Sequence, residues 1–115
     1  MYKHNHEYFT IVIEDTSKQL IVGAGTIFVE RKFVHLNGLV GHIEDIVTHK
    51  EYRGMSLGLR VIDTLKHIGR QTGCYKIILD CAESNVKFYE KCEFKRKEVE
   101  MVLYLPENEK EAPKL

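Results

Sequence analysis

The chain has 115 residues, 43% hydrophobic and 30% charged, which suits one compact domain with a small core and argues against general disorder. Lysine plus arginine and aspartate plus glutamate both total 17, so no overall field attracts nucleic acid or an anionic membrane, and an anionic ligand needs a local site. Cys74, Cys81 and Cys92 form no C-x-x-C pair and leave one thiol unpaired under any disulfide scheme, and no apolar run resembles a signal peptide or a membrane span; a cytoplasmic protein is the expectation.

Tyr8 to Ile13 is β-branched or aromatic and precedes the polar cluster Glu14-Asp15-Thr16-Ser17-Lys18, a strand followed by a turn. A second apolar run, Leu20 to Val29, returns at once, so the two are expected to pair as an antiparallel hairpin. Gly23 and Gly25 inside the second run suggest a bend or bulge. Glu30 to His35 mixes charge with aromatic character and reads as a loop with a basic rim. Leu39 to Val47 is apolar at both ends but holds His42, Glu44 and Asp45. Adjacent carboxylates on a strand point to opposite faces, so one of Glu44 and Asp45 is expected near the core or in a cleft, unless both lie solvated on an edge strand.

Leu57, Val61, Ile62, Leu65, Ile68 and Thr72 recur three and four apart with charged residues between them, which predicts an amphipathic helix ended by Gly73. Cys74 to Cys81 reads as a largely buried strand, so strand, glycine turn, helix and strand make a βαβ unit with a right-handed crossover. Asn85 to Cys92 is a shorter helix with Ser84 as its candidate N-cap. Phe94 to Leu105, with imperfect alternation, is expected as a last strand. Residues 1–105 form a single domain on this reading, and 106–115 are a polar, mobile tail. The three cysteines are read as small buried hydrophobes.

Between the third strand and the first helix lies Tyr52-Arg53-Gly54-Met55-Ser56-Leu57-Gly58-Leu59. Glycines at such a place let backbone approach a ligand, and N–H groups at a helix start point toward an anion such as a pyrophosphate. Taken alone, the pattern also fits an ordinary strand-to-helix loop.

Arg53-Gly54-x-x-x-Gly58 opening a helix, followed by Asn85-x-x-x-Tyr89 in the next one, resembles the acetyl-CoA-binding core of the GNAT superfamily of N-acetyltransferases. His42-Ile43-Glu44-Asp45-Ile46, Cys74 to Cys81 and Asn85 to Cys92, in that order, resemble more narrowly the glucosamine 6-phosphate N-acetyltransferases. The strand and helices that precede the hairpin in that family have no counterpart in this sequence.

The resemblance implies an α/β (α+β) fold with a mixed, mostly antiparallel sheet, a central parallel βαβ unit and helices packed on it. It implies acetyl transfer from acetyl-CoA, without a metal, to the 2-amino group of glucosamine 6-phosphate, a step toward UDP-N-acetylglucosamine. Arg53, Gly54, Met55, Ser56, Leu57, Gly58 and Leu59 would hold the pyrophosphate, with Asn85 and Tyr89 along the pantetheine arm. A backbone N–H near Ile46 or Val47 would face the developing oxyanion. Tyr89, Asp80 and Glu44 are the catalytic candidates, the carboxylates for the amine proton and Tyr89 for the departing thiolate. Lys32, His35, Glu44, Asp45, Tyr75, Lys76 and Asp80 match segments that hold the sugar phosphate. A homodimer whose site is shared between subunits is implied. The family's loop often has a third glycine where Ser56 stands, and related enzymes can carry an arginine where Tyr104 stands. Two other functions share these residues: acetylation of another small amine or of lysine, and a non-catalytic acyl-CoA-binding or interaction module.

Overall fold

The structure, a computed structural model, describes residues 6–32 and 38–106. Strand β1 (His6–Asp15) turns through residues 16–19 into β2 (Leu20–Lys32), and β3 (Gly38–Thr48) pairs antiparallel with the far side of β2. Helix α1 (Leu57–Thr72) then crosses over to β4 (Cys74–Ile78), which pairs parallel with β3. The sheet order is therefore β1-β2-β3-β4. Helix α2 (Val86–Lys91) follows a 3₁₀ turn, Glu83–Asn85.

Burial in β2 alternates along Gly23, Gly25, Ile27 and Val29, the period that a sheet covered on one face requires, with Val22 buried beside them where the pairing is irregular. Those residues meet Val61, Ile62 and Leu65 of α1, which are fully enclosed, and Cys92 just after α2. Each such aliphatic side chain contributes on the order of 1.5–3 kcal/mol of burial. Gly25 sets how closely helix and sheet approach: a Cβ there would stand 2.5 Å from Val61 Cγ1 and 2.6 Å from Ile46 Cδ1. Even alanine at that position requires Val61 and Ile46 to shift. Helix α2 is too short to hold itself, and Lys66 of α1 anchors its end by donating to the Cys92 carbonyl and to Glu93 Oε1, both at 2.8 Å.

On the opposite face Tyr8, Val12, Val47 and Ile78 are exposed. There Tyr8 stacks on Phe28 at 4.9 Å and Phe28 lies 5.1 Å from the His42 ring. Glu30 accepts from His42 Nε2 at 2.9 Å and pairs with Lys32 at 3.3 Å.

The hairpin, the βαβ unit and α1 lie where the sequence places them, with Gly73 as the left-handed C-cap at φ 92°. The glycine-rich part of β2 carries both irregularities, one at Val22 opposite Ile13 and Glu14 and one at Gly25. Several expectations need correction. Glu30 to Lys32 continue β2 rather than forming a loop, because β3 reaches far enough to pair with them; 33–37 lie outside the described residues. Strand β4 ends at Ile78, is mostly exposed, and pairs with β3 alone among the described residues. Ser84 sits inside the 3₁₀ turn, and Asn85 takes the N-cap position of α2 without a side-chain cap bond. Residues 94–105 pair with no strand among the described residues: Val99, Met101 and Leu103 are each more than 80% exposed. Cys92 is buried and Cys74 half-buried, but Cys81 is exposed, so only the first fits a core hydrophobe fully. The tail, 107–115, lies outside the described residues.

Helix α1 begins in an unusual way. Its N-cap, Ser56, has φ 61° and ψ 24°, the left-handed region, and its side chain caps nothing. A non-glycine residue there costs ~1 kcal/mol, of which glycine's larger unfolded-state entropy returns roughly half. Ser56→Gly is therefore expected to stabilise the fold by about 0.5 kcal/mol and Ser56→Val, β-branched at positive φ, to destabilise it by about 1–2 kcal/mol. Urea unfolding of the three proteins checks the order.

Three carboxylates are held below their ordinary range. The Tyr52 hydroxyl, then Ser17, does this for Asp15, and Lys66 for Glu93. For Glu30, desolvation pushes upward but hydrogen bonds from Lys32 and His42 outweigh it. Depressed folded values mean stability that is fully present above the unfolded range, about pH 4, and is lost as pH falls through the folded values. The melting temperature is expected to be flat from pH 7 to 5 and to fall below about pH 4, with a shallower fall in Glu93→Gln, measured by thermal unfolding against pH.

Candidate active site

The site begins with an extra residue in β3. Glu44 pairs with Thr26 and Val47 with Ala24, so Asp45 and Ile46 together face the single residue Gly25. Asp45 accommodates the extra length with φ 58°. Such a bulge breaks the alternation of the strand. Glu44 and Asp45 consequently do not point to opposite faces with one in the core; both are exposed and both line one cleft. Nor is β3 an edge strand, since β2 and β4 flank it.

That cleft, about 230 Å³, is lined by Ile43, Glu44, Asp45, Ile46, Leu79, Asp80, Cys81, Asn85 and Tyr89. It forms where β3 and the chain beyond β4 part company. The β3–β4 pairing ends at His42 with Ile78, so Leu79, Asp80 and Cys81 run on past the sheet toward α2. Tyr89 is half-buried, its ring edge-on to Phe88 at 5.0 Å and to Phe94 at 6.2 Å. Among the described residues its hydroxyl has no hydrogen-bond partner. Burial, then the neighbouring thiols Cys81 and Cys92, push its pKa upward, so the phenol keeps its proton at neutral pH.

The glycine loop closes the same end of the molecule. Gly54 has φ 90° with open space around it, so conformation rather than packing calls for glycine. Gly58 is the reverse: a Cβ there would sit 3.3 Å from Phe88 Cζ, beside Tyr89 on α2, and 3.9 Å from Thr48 Oγ1 at the end of β3. Residues 53–56 are exposed, and the first turn of α1 carries no acidic side chain. With Ser56 unable to cap, the leading N–H groups and the positive end of the helix dipole face outward, an arrangement that receives an anion. The chain from Ile46 to Thr48 and the start of α2 join this loop to the cleft.

The structure thus brings together Glu44, Asp45, Ile46, Asp80, Asn85 and Tyr89, and places Arg53 to Leu59 beside them. It does not bring Lys32, Tyr75 or Lys76 to the same cleft. Lys32 pairs opposite Gly38, six residues before Glu44, which is roughly 20 Å along the strand. Tyr75 and Lys76 line a larger groove of about 660 Å³ between β4, α2 and residues 94–98, shared with Cys81 and Tyr89. His35 lies outside the described residues. Tyr104 is 70% exposed. Ile43, Leu79 and Cys81 are the lining residues that sequence reasoning does not single out; their sole signal is adjacency to Glu44 and Asp80. Among the described residues no group of three or more His, Cys, Asp or Glu gathers to hold a metal ion, and no helix is long and apolar enough to cross a membrane.

Comparison with known proteins matches residues 1–94 to the model of the acetyltransferase (GNAT) family. Glucosamine 6-phosphate N-acetyltransferase 1 of Dictyostelium discoideum is 58% identical over 104 residues, 90% of this chain and 66% of that protein. Glucosamine 6-phosphate N-acetyltransferase of Schizosaccharomyces pombe is 40% identical over 97 residues, 84% of this chain and 87% of that protein. The solved glucosamine-6-phosphate N-acetyltransferase from Arabidopsis thaliana superposes with a TM-score of 0.82 at 39% identity, over 84% of this chain and 66% of that one. The chain therefore spans about two thirds of the Dictyostelium and Arabidopsis proteins. The mixed sheet and its helices share the fold of the Arabidopsis protein, and the chain belongs to the acetyltransferase (GNAT) family.

Proposed function

We propose that the chain transfers the acetyl group of acetyl-CoA to the 2-amino group of glucosamine 6-phosphate by direct attack in a ternary complex. The observation that carries this reading is the cleft in which Glu44, Asp80 and Tyr89 meet the bulge at Asp45 and Ile46, next to an uncapped helix start. The names of the Dictyostelium, fission yeast and Arabidopsis relatives support the acceptor.

Each residue then has a definable task. The N–H groups of Arg53 to Leu59 bind the donor's pyrophosphate, and Asn85 aligns its arm. Glu44 or Asp80 takes the ammonium proton, directly or through water, so that the amine becomes a nucleophile. The N–H of Ile46 or Val47 meets the carbonyl oxygen as charge develops on it. Tyr89, protonated at neutral pH, donates to the departing sulfur. Holding amine and thioester together supplies up to ~7–11 kcal/mol when orientation is ideal.

Lys32, His35, Tyr75 and Lys76 enter this scheme from a second copy. In support, Lys32 and the cleft lie at opposite ends of one sheet, β4 has a free edge among the described residues, and 95–105 are exposed. Two such chains bury that strip together and share the sugar-phosphate site, in the cytoplasm, where the product feeds UDP-N-acetylglucosamine synthesis.

Free thiol is expected to appear when acetyl-CoA and glucosamine 6-phosphate are mixed with the chain. Tyr89→Phe should lower kcat about 10- to 100-fold and Asp80→Ala at least as much, with coenzyme A binding retained in both. Thiol release with a panel of other amines but not with the sugar phosphate would replace the acceptor. Undiminished rates in both variants would remove the catalytic roles.

A further inference from the structure

We propose that Asp15, at the end of β1 and not among the residues that line the cleft, is a positioning residue for donor binding: through its hydrogen bond to Tyr52 it sets the shape of the pyrophosphate loop. This rests on the functional reading above and goes beyond it, since Asp15 touches neither substrate.

The geometry is specific. Asp15 ends β1, and its Oδ1 accepts from the Ser17 N–H at 3.1 Å and the Ser17 hydroxyl at 2.7 Å. The Lys18 N–H donates to the Asp15 carbonyl at 3.1 Å. These bonds fix the carboxylate, and its second oxygen, Oδ2, is left to accept from the Tyr52 hydroxyl at 2.5 Å across 37 residues of sequence. Tyr52 in turn closes the 3₁₀ turn Lys50–Tyr52, donating its N–H to the His49 carbonyl at 2.9 Å and packing edge-on to the His49 ring at 5.5 Å. His49 is itself tied to the sheet, its N–H donating to the Val22 carbonyl at 2.8 Å.

The segment between β3 and α1 is thus fastened at two points, His49 to β2 and Tyr52 to β1. Beyond Tyr52 come Arg53, Gly54, Met55 and Ser56, all exposed, with two positive-φ residues among the four. Tyr52 is the last side chain pinned to the sheet before the loop, and α1, packed on the core, fixes the other end. The distance between these fixed ends decides whether the loop's N–H groups converge on one anion. Without the tether the loop samples more conformations, and binding has to supply the ordering.

A merely structural tether would change stability and leave donor recognition alone, so the test separates the two. Coenzyme A affinity is measured by calorimetry, and steady-state kinetics by thiol release, for the unaltered chain, Asp15→Ala, Tyr52→Phe, the double variant and Asp15→Asn. Kd for coenzyme A and KM for acetyl-CoA should rise about 5- to 10-fold in each single variant, and no further in the double, as for two ends of one interaction. Both kcat and KM for glucosamine 6-phosphate should stay within about twofold of the unaltered chain. Asp15→Asn, whose amide oxygen keeps the Ser17 bonds and whose NH2 donates to the Tyr52 hydroxyl, should restore most of the affinity. Acetyl-pantetheine, a donor without the pyrophosphate, should be used equally by all five proteins. Unchanged donor affinity in the single variants, additive effects in the double, or equal losses with acetyl-pantetheine would overturn the tether. Failure of the unaltered chain to bind coenzyme A would instead overturn the functional reading beneath it.

Discussion

Two residues of β3, Asp45 and Ile46, occupy the space opposite one residue of β2, Gly25, and the layout of the site follows from that mismatch. The extra residue forces Asp45 into the left-handed region and carries Ile46 over Gly25, where its Cδ1 would stand 2.6 Å from any Cβ. Gly25 is also where Val61 of α1 meets the sheet, so one missing side chain admits both the bulge and the helix. Because the bulge breaks alternation, two adjacent carboxylates open to the same cleft instead of one being driven into the core, where an unpaired charge costs several kcal/mol.

The remaining parts are arranged around this end of the sheet. Helix α1 leaves from the loop just past β3 and returns to β4, which runs parallel to β3, so its N-terminus lies at the end of the sheet where the cleft lies. Its first turn has no side-chain cap and no acid, and Ser56 holds a strained backbone there. Local stability is sacrificed at that point while donors are left facing outward. On the other side, Lys66 staples the end of α2 to α1 and burial of Cys92 seals it, which fixes Tyr89 at the cleft wall with its proton retained. The hairpin turn completes the frame through Asp15 and Tyr52.

Much of this was legible in the residues. The three- and four-residue spacing of Val61, Ile62, Leu65 and Ile68 located α1, and Gly73 its end, because local pattern and local backbone geometry decide both. The glycines of β2 pointed to irregular pairing for the same reason. What local pattern could not show was how faces combine. Strand alternation sends Glu44 and Asp45 to opposite faces, and a bulge suspends it. The apolar character of Cys74 to Cys81 suggests a buried strand, yet β4 stands at the sheet's margin, which depends on what pairs with it and not on its own residues. Phe94 to Leu105 alternates as a strand would, but a strand exists only when another edge completes its hydrogen bonds, and none of the described strands does so. Lys32 and Lys76 group with Asp80 by resemblance alone, and one chain leaves them apart, since a match of segments says nothing of which ends of the sheet those segments reach.

The bulge, the loop before α1 and the start of α2 are expected to form one donor-binding surface. Backbone amide chemical shifts of the ¹⁵N-labelled chain, titrated with coenzyme A, test this most directly. The expected changes fall on Ile46 to Thr48, Arg53 to Leu59 and Asn85 to Tyr89, saturating with a single affinity. Changes centred on Tyr8, Phe28 and His42 across the sheet, or no saturable change at all, would contradict it.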